Sequence, residues 1–275
     1  MWTALSLALL LASGANAPSS DVPAAKAPQA TSPAAREARP NERVGGDLEA
    51  QVGREGESWR SGRQFTEAPL PVGYPAPTPV GSIEIKRYPS VRRAEISGKG
   101  SVRGASQQGF YPLFNHIKNN DIAMTAPVEM DLPGWSATDD RAPESWTMSF
   151  LYRVPELRET GQDGRVTVRD TQPVTVLSIG TTGNSGVASM RDELASLEAW
   201  LAGQGRWKAV GAPRWLAYNG PYIPAQRRWC EVQIPIAVAL PGAASSAEAS
   251  NGSGPAGTSS GGSGSQRGPT PPARR

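Results

Sequence analysis

Apolar and polar positions follow a regular pattern between residues 73 and 240, and the flanks do not share it. Ile83-Glu84-Ile85-Lys86 alternates with period two, as a half-buried strand does, and Tyr88-Pro89 closes it. A second strand is predicted over 91–97. Phe110, Leu113, Phe114 and Ile117 then recur at helical spacing, with Pro112 tolerable in the first turn. On a helical wheel these four form one buried stripe, and His116 falls at its edge. Strands follow over 124–131 and 145–153, the second placing Trp146, Met148, Phe150 and Tyr152 on one face.

The second half repeats this order. Residues 166–168 and 174–179 read as strands joined by a Pro-containing turn. Val187, Met190, Leu194, Leu197 and Leu201 form a helical stripe, with Asn184 or Ser185 as N-cap and Gly203 and Gly205 as stops. Strands are predicted over 214–218 and 228–236. Two strand–strand–helix–strand–strand repeats that pack their sheets together predict an α+β domain, curved or barrel-like, with two helices outside.

Composition sets the borders. The chain has 275 residues, of which 30 are Gly and 26 Pro, and residues 241–275 are especially rich in Gly, Ser and Pro. Met1 to Ala12 is an apolar run too short to span a bilayer, and Ala15-Asn16-Ala17 has the small-x-small form of a signal-peptidase site. Residues 1–17 are therefore expected to be a signal peptide, and the protein exported to a periplasmic or extracellular space. Residues 18–72, with Pro18, Pro23, Pro28, Pro33 and Pro40 at near-regular spacing, read as a disordered linker, whose Trp59 and Phe65 hint at packing near its end. Residues 241–275 read as a disordered Gly/Ser/Pro-rich tail.

Charge and rare residues narrow the chemistry. The net charge of +3 comes from arginines interleaved with carboxylates, without the basic stripe of a nucleic-acid binder. One Cys and one His exclude an intrachain disulfide and the zinc sites of Cys₂His₂ or Cys₄ type. A histidine-based catalytic mechanism would have to run through His116 alone.

Several segments resemble one family. Ile83 to Pro89 is similar to the opening strand of SOUL-type haem-binding proteins. Gly109-Phe110, Leu113-Phe114, His116-Ile117 and then Ile122-Ala123-Met124-Thr125-Ala126-Pro127-Val128-Glu129 resemble that family's helix and the MTAPV strand after it. Tyr218-Asn219-Gly220-Pro221 and Arg227-Arg228 to Glu231-Val232 are similar to its closing loop and strand. The chain departs from the family at Trp229-Cys230, where an Asn is common, and in the short connection from Lys118 to Asp121. The resemblance implies a distorted β-barrel of two related halves and non-enzymatic binding of haem or a related tetrapyrrole. It also implies kinship of fold with effector-binding domains that capture apolar cations.

A tetrapyrrole is a large apolar plate with carboxylates, so it needs apolar walls and a basic rim. Phe114, Ile117, Tyr222 and Ile223 are candidate walls, with Lys118 and Arg227 for the propionates. The implied surface runs between the first helix and the 218–226 loop. Two readings stand for His116: a haem-iron ligand, or a half-exposed histidine meeting the last carbonyls of its helix. Met124 reads as part of a core strand, and Cys230, alternating with Val232 and Ile234, as a core residue. Two readings also stand for Trp229 and Glu231: an aromatic–carboxylate pair for an apolar cation, or Glu231 paired with Arg227 or Arg228.

Overall fold

The computed structural model describes residues 41–139, 141–183 and 187–239. The expected signal peptide, the first part of the linker, the N-cap pair Asn184 and Ser185, and the tail lie outside the described residues.

Folded structure begins well before residue 73. β1 (Glu42–Gly46), β2 (Gly53–Glu55), β3 (Ser58–Ser61) and β4 (Gln64–Phe65) all fall in the stretch read as a linker. The last three form a small antiparallel sheet of their own. The linker reading is corrected for residues 41–72: their Pro and Gly content marks tight turns between short strands rather than a solvated tether. β5 (Ser82–Tyr88) and β6 (Arg92–Lys99) match the first two predicted strands, though they pair with other strands and not with each other. A helical run follows as α1 (Val102–Ala105), a π-helical turn over Ser106–Phe110 and α2 (Tyr111–Asn119).

The rest comprises β7 (Val128–Asp131), β8 (Ser145–Leu151), β9 (Gly161–Asp163), β10 (Val166–Asp170), β11 (Val174–Thr182), α3 (Val187–Ala202), β12 (Trp207–Ala209), β13 (Arg214–Ala217) and β14 (Trp229–Val238). The strand expected from 124 begins only at Val128. Pro127 lacks an N–H, Ala126 N donates instead to Pro69 O at 3.1 Å, and the Thr125 hydroxyl donates to Leu151 O at 2.6 Å.

The main sheet is antiparallel throughout and runs β1-β5-β11-β14-β13-β7-β8-β6-β10-β9, with β12 on β14. It is an open sheet, not the expected barrel. β1 and β9 end the strand order and are not hydrogen-bonded to each other, so the sheet is not closed.

Both faces of this sheet are buried. One face packs Ile85, Ile96, Trp146, Phe150, Leu177, Cys230, Val232 and Ile234 against Leu113 and Ile117 of α2 and Leu194 and Leu197 of α3. The other is covered by the extended segment 66–80, whose Leu70 and Tyr74 pack on Tyr88, Val176, Leu216, Tyr218 and Trp229. The segment lies close to β11 at Gly180: a Cβ there would sit 2.3 Å from Thr78 O and 2.2 Å from Pro79 O. Only glycine admits that approach. The alternation in β5 therefore separates an apolar core from a polar one, since Glu84 and Lys86 are buried too.

Candidate functional site

Beneath segment 66–80 lies a buried polar centre on Glu231. Both of its carboxylate oxygens accept from the Lys86 ammonium, with Nζ 2.9 Å from Oε1 and from Oε2. Oε1 also accepts the Thr78 backbone N–H at 2.8 Å and the Tyr218 hydroxyl at 2.7 Å. Oε2 accepts the Ser178 hydroxyl at 2.6 Å and the Gln233 amide. Burial alone would raise the Glu231 carboxyl, but Lys86 and the hydroxyl donors hold it below its ordinary value. The same carboxylate outweighs burial at Lys86 and raises its ammonium.

Gln233 joins this centre to a second one. It donates to the Tyr88 hydroxyl at 2.8 Å and accepts from Arg214 Nε at 2.8 Å. Arg214 lies 4.8 Å over the Tyr88 ring and 3.6 Å from Glu129, which also takes the Tyr74 hydroxyl at 2.6 Å. Glu231 thus pairs with Lys86 rather than with Arg227 or Arg228. Both Trp229 and Glu231 are fully buried, and Trp229 Nε1 donates to Thr78 O at 2.7 Å. The cation-binding reading of these two residues is corrected: an internal ammonium and segment 66–80 fill the space that a ligand would need.

The helix is turned relative to the predicted stripe. Leu113, His116 and Ile117 face inward, and Phe114 faces out, 41 % exposed. A π-helical turn precedes α2. It brings Gly109 onto β8, where a Cβ would lie 3.1 Å from the Trp146 ring and 3.2 Å from Met148. Positions four and seven residues on, Leu113 and His116, inherit the inward side.

His116 is accordingly buried, with both ring nitrogens engaged: Nδ1 lies 2.7 Å from Asp163 Oδ2 and Nε2 lies 2.8 Å from the Tyr152 hydroxyl. Its bond lowers the Asp163 carboxyl, and burial pushes the Tyr152 hydroxyl up to about 12. With Nδ1–H donated to the carboxylate, Nε2 keeps one lone pair and spends it on Tyr152. Neither earlier reading of His116 holds: it is not half-exposed, and it has no lone pair free for iron.

The solvent face of α2 is aromatic. Phe110 and Phe114 stack with centroids 6.0 Å apart and planes 10° from parallel, and Tyr111 is 63 % exposed beside them. Phe110 meets Phe150 edge-on at 5.2 Å, which anchors the pair to the core. Lys118 is exposed on the same helix, whereas Ile117 belongs to the core.

The 218–226 loop is held elsewhere. Asn219 donates to Phe65 O at 2.9 Å, Gln64 donates to Gln226 O at 3.0 Å, and Gly220 N donates to Glu67. Tyr222 is 77 % exposed, Ile223 half-buried, and Arg227 lies 5.4 Å over the Phe65 ring. Among the described residues no hydrogen bond, ion pair or ring contact joins this loop to α2. The candidate residues therefore form two groups: Phe114 and Lys118 on α2, and Tyr222, Ile223 and Arg227 on the loop. Lys86, Tyr74 and Thr78 carry no sequence signal of their roles, because each partner lies over fifty residues away.

An open antiparallel sheet backed by two helices, with a closed polar interior and aromatic groups left at its surface, defines an α+β domain. The model of the SOUL haem-binding protein family matches residues 75–235, and the chain belongs to that family. No curated protein matches. Among solved structures, the C-terminal domain of EcmrR shares 12 % identity at a TM-score of 0.48, covering 56 % of this chain and 96 % of its own. A hydrolase from Listeria innocua shares 15 % at 0.44, covering 59 % and 94 %. SAV2435 bound to tetraphenylphosphonium shares 9 % at 0.34, covering 56 % and 93 %. These likenesses concern the fold alone.

Proposed function

We propose that this protein binds haem or a related tetrapyrrole at its surface, without catalysing a reaction. The observation that carries the reading is the aromatic surface at the start of α2, where Tyr111 and Phe114 are exposed and Phe114 stacks on the half-buried Phe110. Exposed apolar patches on a folded domain mark binding surfaces, and aromatic rings suit a flat conjugated plate. Lys118 on this helix, and Tyr222, Ile223 and Arg227 on the loop, supply the rim and a second wall. Family membership supports the ligand class. The bond pattern of His116 supports a plate held by ring contact and charge rather than by histidine on iron.

Titration of the purified protein with haemin, followed by the Soret band and by tryptophan fluorescence, tests the proposal. Saturable quenching with a stoichiometric Soret change is expected. Linear, non-saturating quenching would refute it. The reading extends to an exported protein, on the strength of the apolar run Met1–Ala12 and the site at Ala15 and Ala17. Secreted material is then expected to begin at Pro18 by intact mass, and a secreted chain starting at Met1 would count against processing.

A further inference from the structure

The small sheet β2–β4 lies outside the stretch that matches the family, yet it is bonded to that domain's closing loop. Together, residues 53–66 and 219–228 contain five arginines and two glutamates. Glu57 is taken by Arg153 at 2.8 Å, and Glu55 by Arg60. The neighbouring Glu67 is spent on Gly220 N–H and on the Tyr222 hydroxyl. Among the described residues, Arg54, Arg63 and Arg227 have no carboxylate partner.

Their placement is specific. Arg60 and Arg227 both lie over the Phe65 ring, with guanidinium carbons 5.6 Å and 5.4 Å from its centroid, and Arg54 lies 5.8 Å over Trp59. Stacking holds a guanidinium plane against a ring and leaves its N–H edge free for a carboxylate. Two like charges on one ring also repel, and Glu55 offsets only one of them. The bond from Gln64 to Gln226 O ties the exposed turn that carries Arg63 to the segment that carries Arg227. The Tyr222 ring, 77 % exposed, supplies an aromatic wall on the same loop.

We infer that β2–β4 completes a ligand site on the 218–226 loop, in which Arg63 and Arg227, with Arg60 behind them, receive the carboxylates of an anionic tetrapyrrole. The inference rests on the tetrapyrrole reading above and adds a selectivity to it: the diacid is the ligand, and a neutral or cationic macrocycle is not. A bidentate guanidinium–carboxylate contact is the geometry that these edges offer.

Protoporphyrin IX and its dimethyl ester, titrated separately against the full chain by tryptophan quenching, test this without iron. In the wild type the diacid binds about tenfold more tightly than the ester, as expected for lost charge-assisted bonds, and added salt narrows the gap. The double variant Arg63→Gln, Arg227→Gln brings the diacid down to the ester, leaves the ester unchanged and keeps the wild-type unfolding midpoint. Equal affinities for diacid and ester in the wild type, or a double variant that retains the diacid's advantage, would overturn the assignment while the tetrapyrrole reading stands. Binding of neither porphyrin would overturn both.

Discussion

Lys86 of β5 and Glu231 of β14 meet across the intervening β11, with the ammonium 2.9 Å from each carboxylate oxygen and both side chains wholly out of solvent. Two charges removed from water in this way hold each other in register, and neither is tolerated alone. Glu231→Gln or Lys86→Met should therefore destabilise the domain by about 3–5 kcal/mol in urea unfolding. The double replacement Lys86→Met, Glu231→Leu should cost less than the sum of the two. Strict additivity would show that the pair does not act as a unit.

The same pair sets a pH window. The Glu231 carboxyl is lowered from its ordinary 4.5, so its contribution is complete above that value and is lost as pH falls through the lowered one. The Lys86 ammonium is raised from 10.5, so its contribution is complete below that value and is lost as pH climbs through the raised one. Urea midpoints measured from acid to alkaline pH should form a plateau between these limits. Glu231→Gln should flatten the acid limb, and an acid limb unchanged in that variant would assign it to other carboxylates.

His116 ties the end of α2 to β9 and to Tyr152 next to β8. Replacing it with Ala orphans the buried Tyr152 hydroxyl, at a cost of about 1–3 kcal/mol. The Soret maximum of bound haemin should not move in this variant, because both ring nitrogens are already committed. A displaced Soret band in His116→Ala would show that the imidazole reaches iron after all.

Phe114 contributes more to the surface than to the core. Phe114→Ala should leave the unfolding midpoint within about 0.5 kcal/mol of wild type, as exposed substitutions do. It should weaken haemin several-fold through the lost ring contact. Loss of stability with unchanged affinity would reverse that assignment.

Removing residues 1–72 should unfold the domain or sharply lower its unfolding temperature, whereas removing 1–40 should not. The first deletion strips β1 from the edge of β5 and uncovers the Tyr88–Trp229 cluster that Leu70 covers. Circular dichroism melts of the two truncations, compared with the full chain, decide between a fold that starts near 41 and one that starts near 73.

The strands β5 to β8, β10, β11, β13 and β14, both main helices and the inward set Cys230, Val232 and Ile234 were legible in the sequence, whereas the three-residue strands β9 and β12 were not. Local periodicity records which side of an element meets apolar neighbours, and the legible elements are long enough to display it. The strands β1 to β4 were not: two to five residues among Gly, Ser and Arg carry no period, and β1 exists because the edge of β5 was available to it. Open or closed topology was equally illegible, because edge pairing is a long-range choice between strands with similar patterns. Glu84 and Lys86 looked like a solvated face, since a strand buried on both sides by different layers shows the alternation of one buried on a single side.

Only tertiary contacts decided the fates of the candidate residues. Packing turned α2 so that His116 lies inside and Phe114 out, a choice of inward face that a wheel drawn from the sequence does not decide. Glu231, read either as an acid for an apolar cation or as the partner of Arg227 or Arg228, is instead the anchor of the polar interior. Its five partner residues come from segment 66–80, β5, β11, β13's end and β14, and only folding brings them within 3 Å of one carboxylate. Residue types and their period determined the layers of this protein. Which polar side chains were left at the surface was decided by which of them have a buried partner.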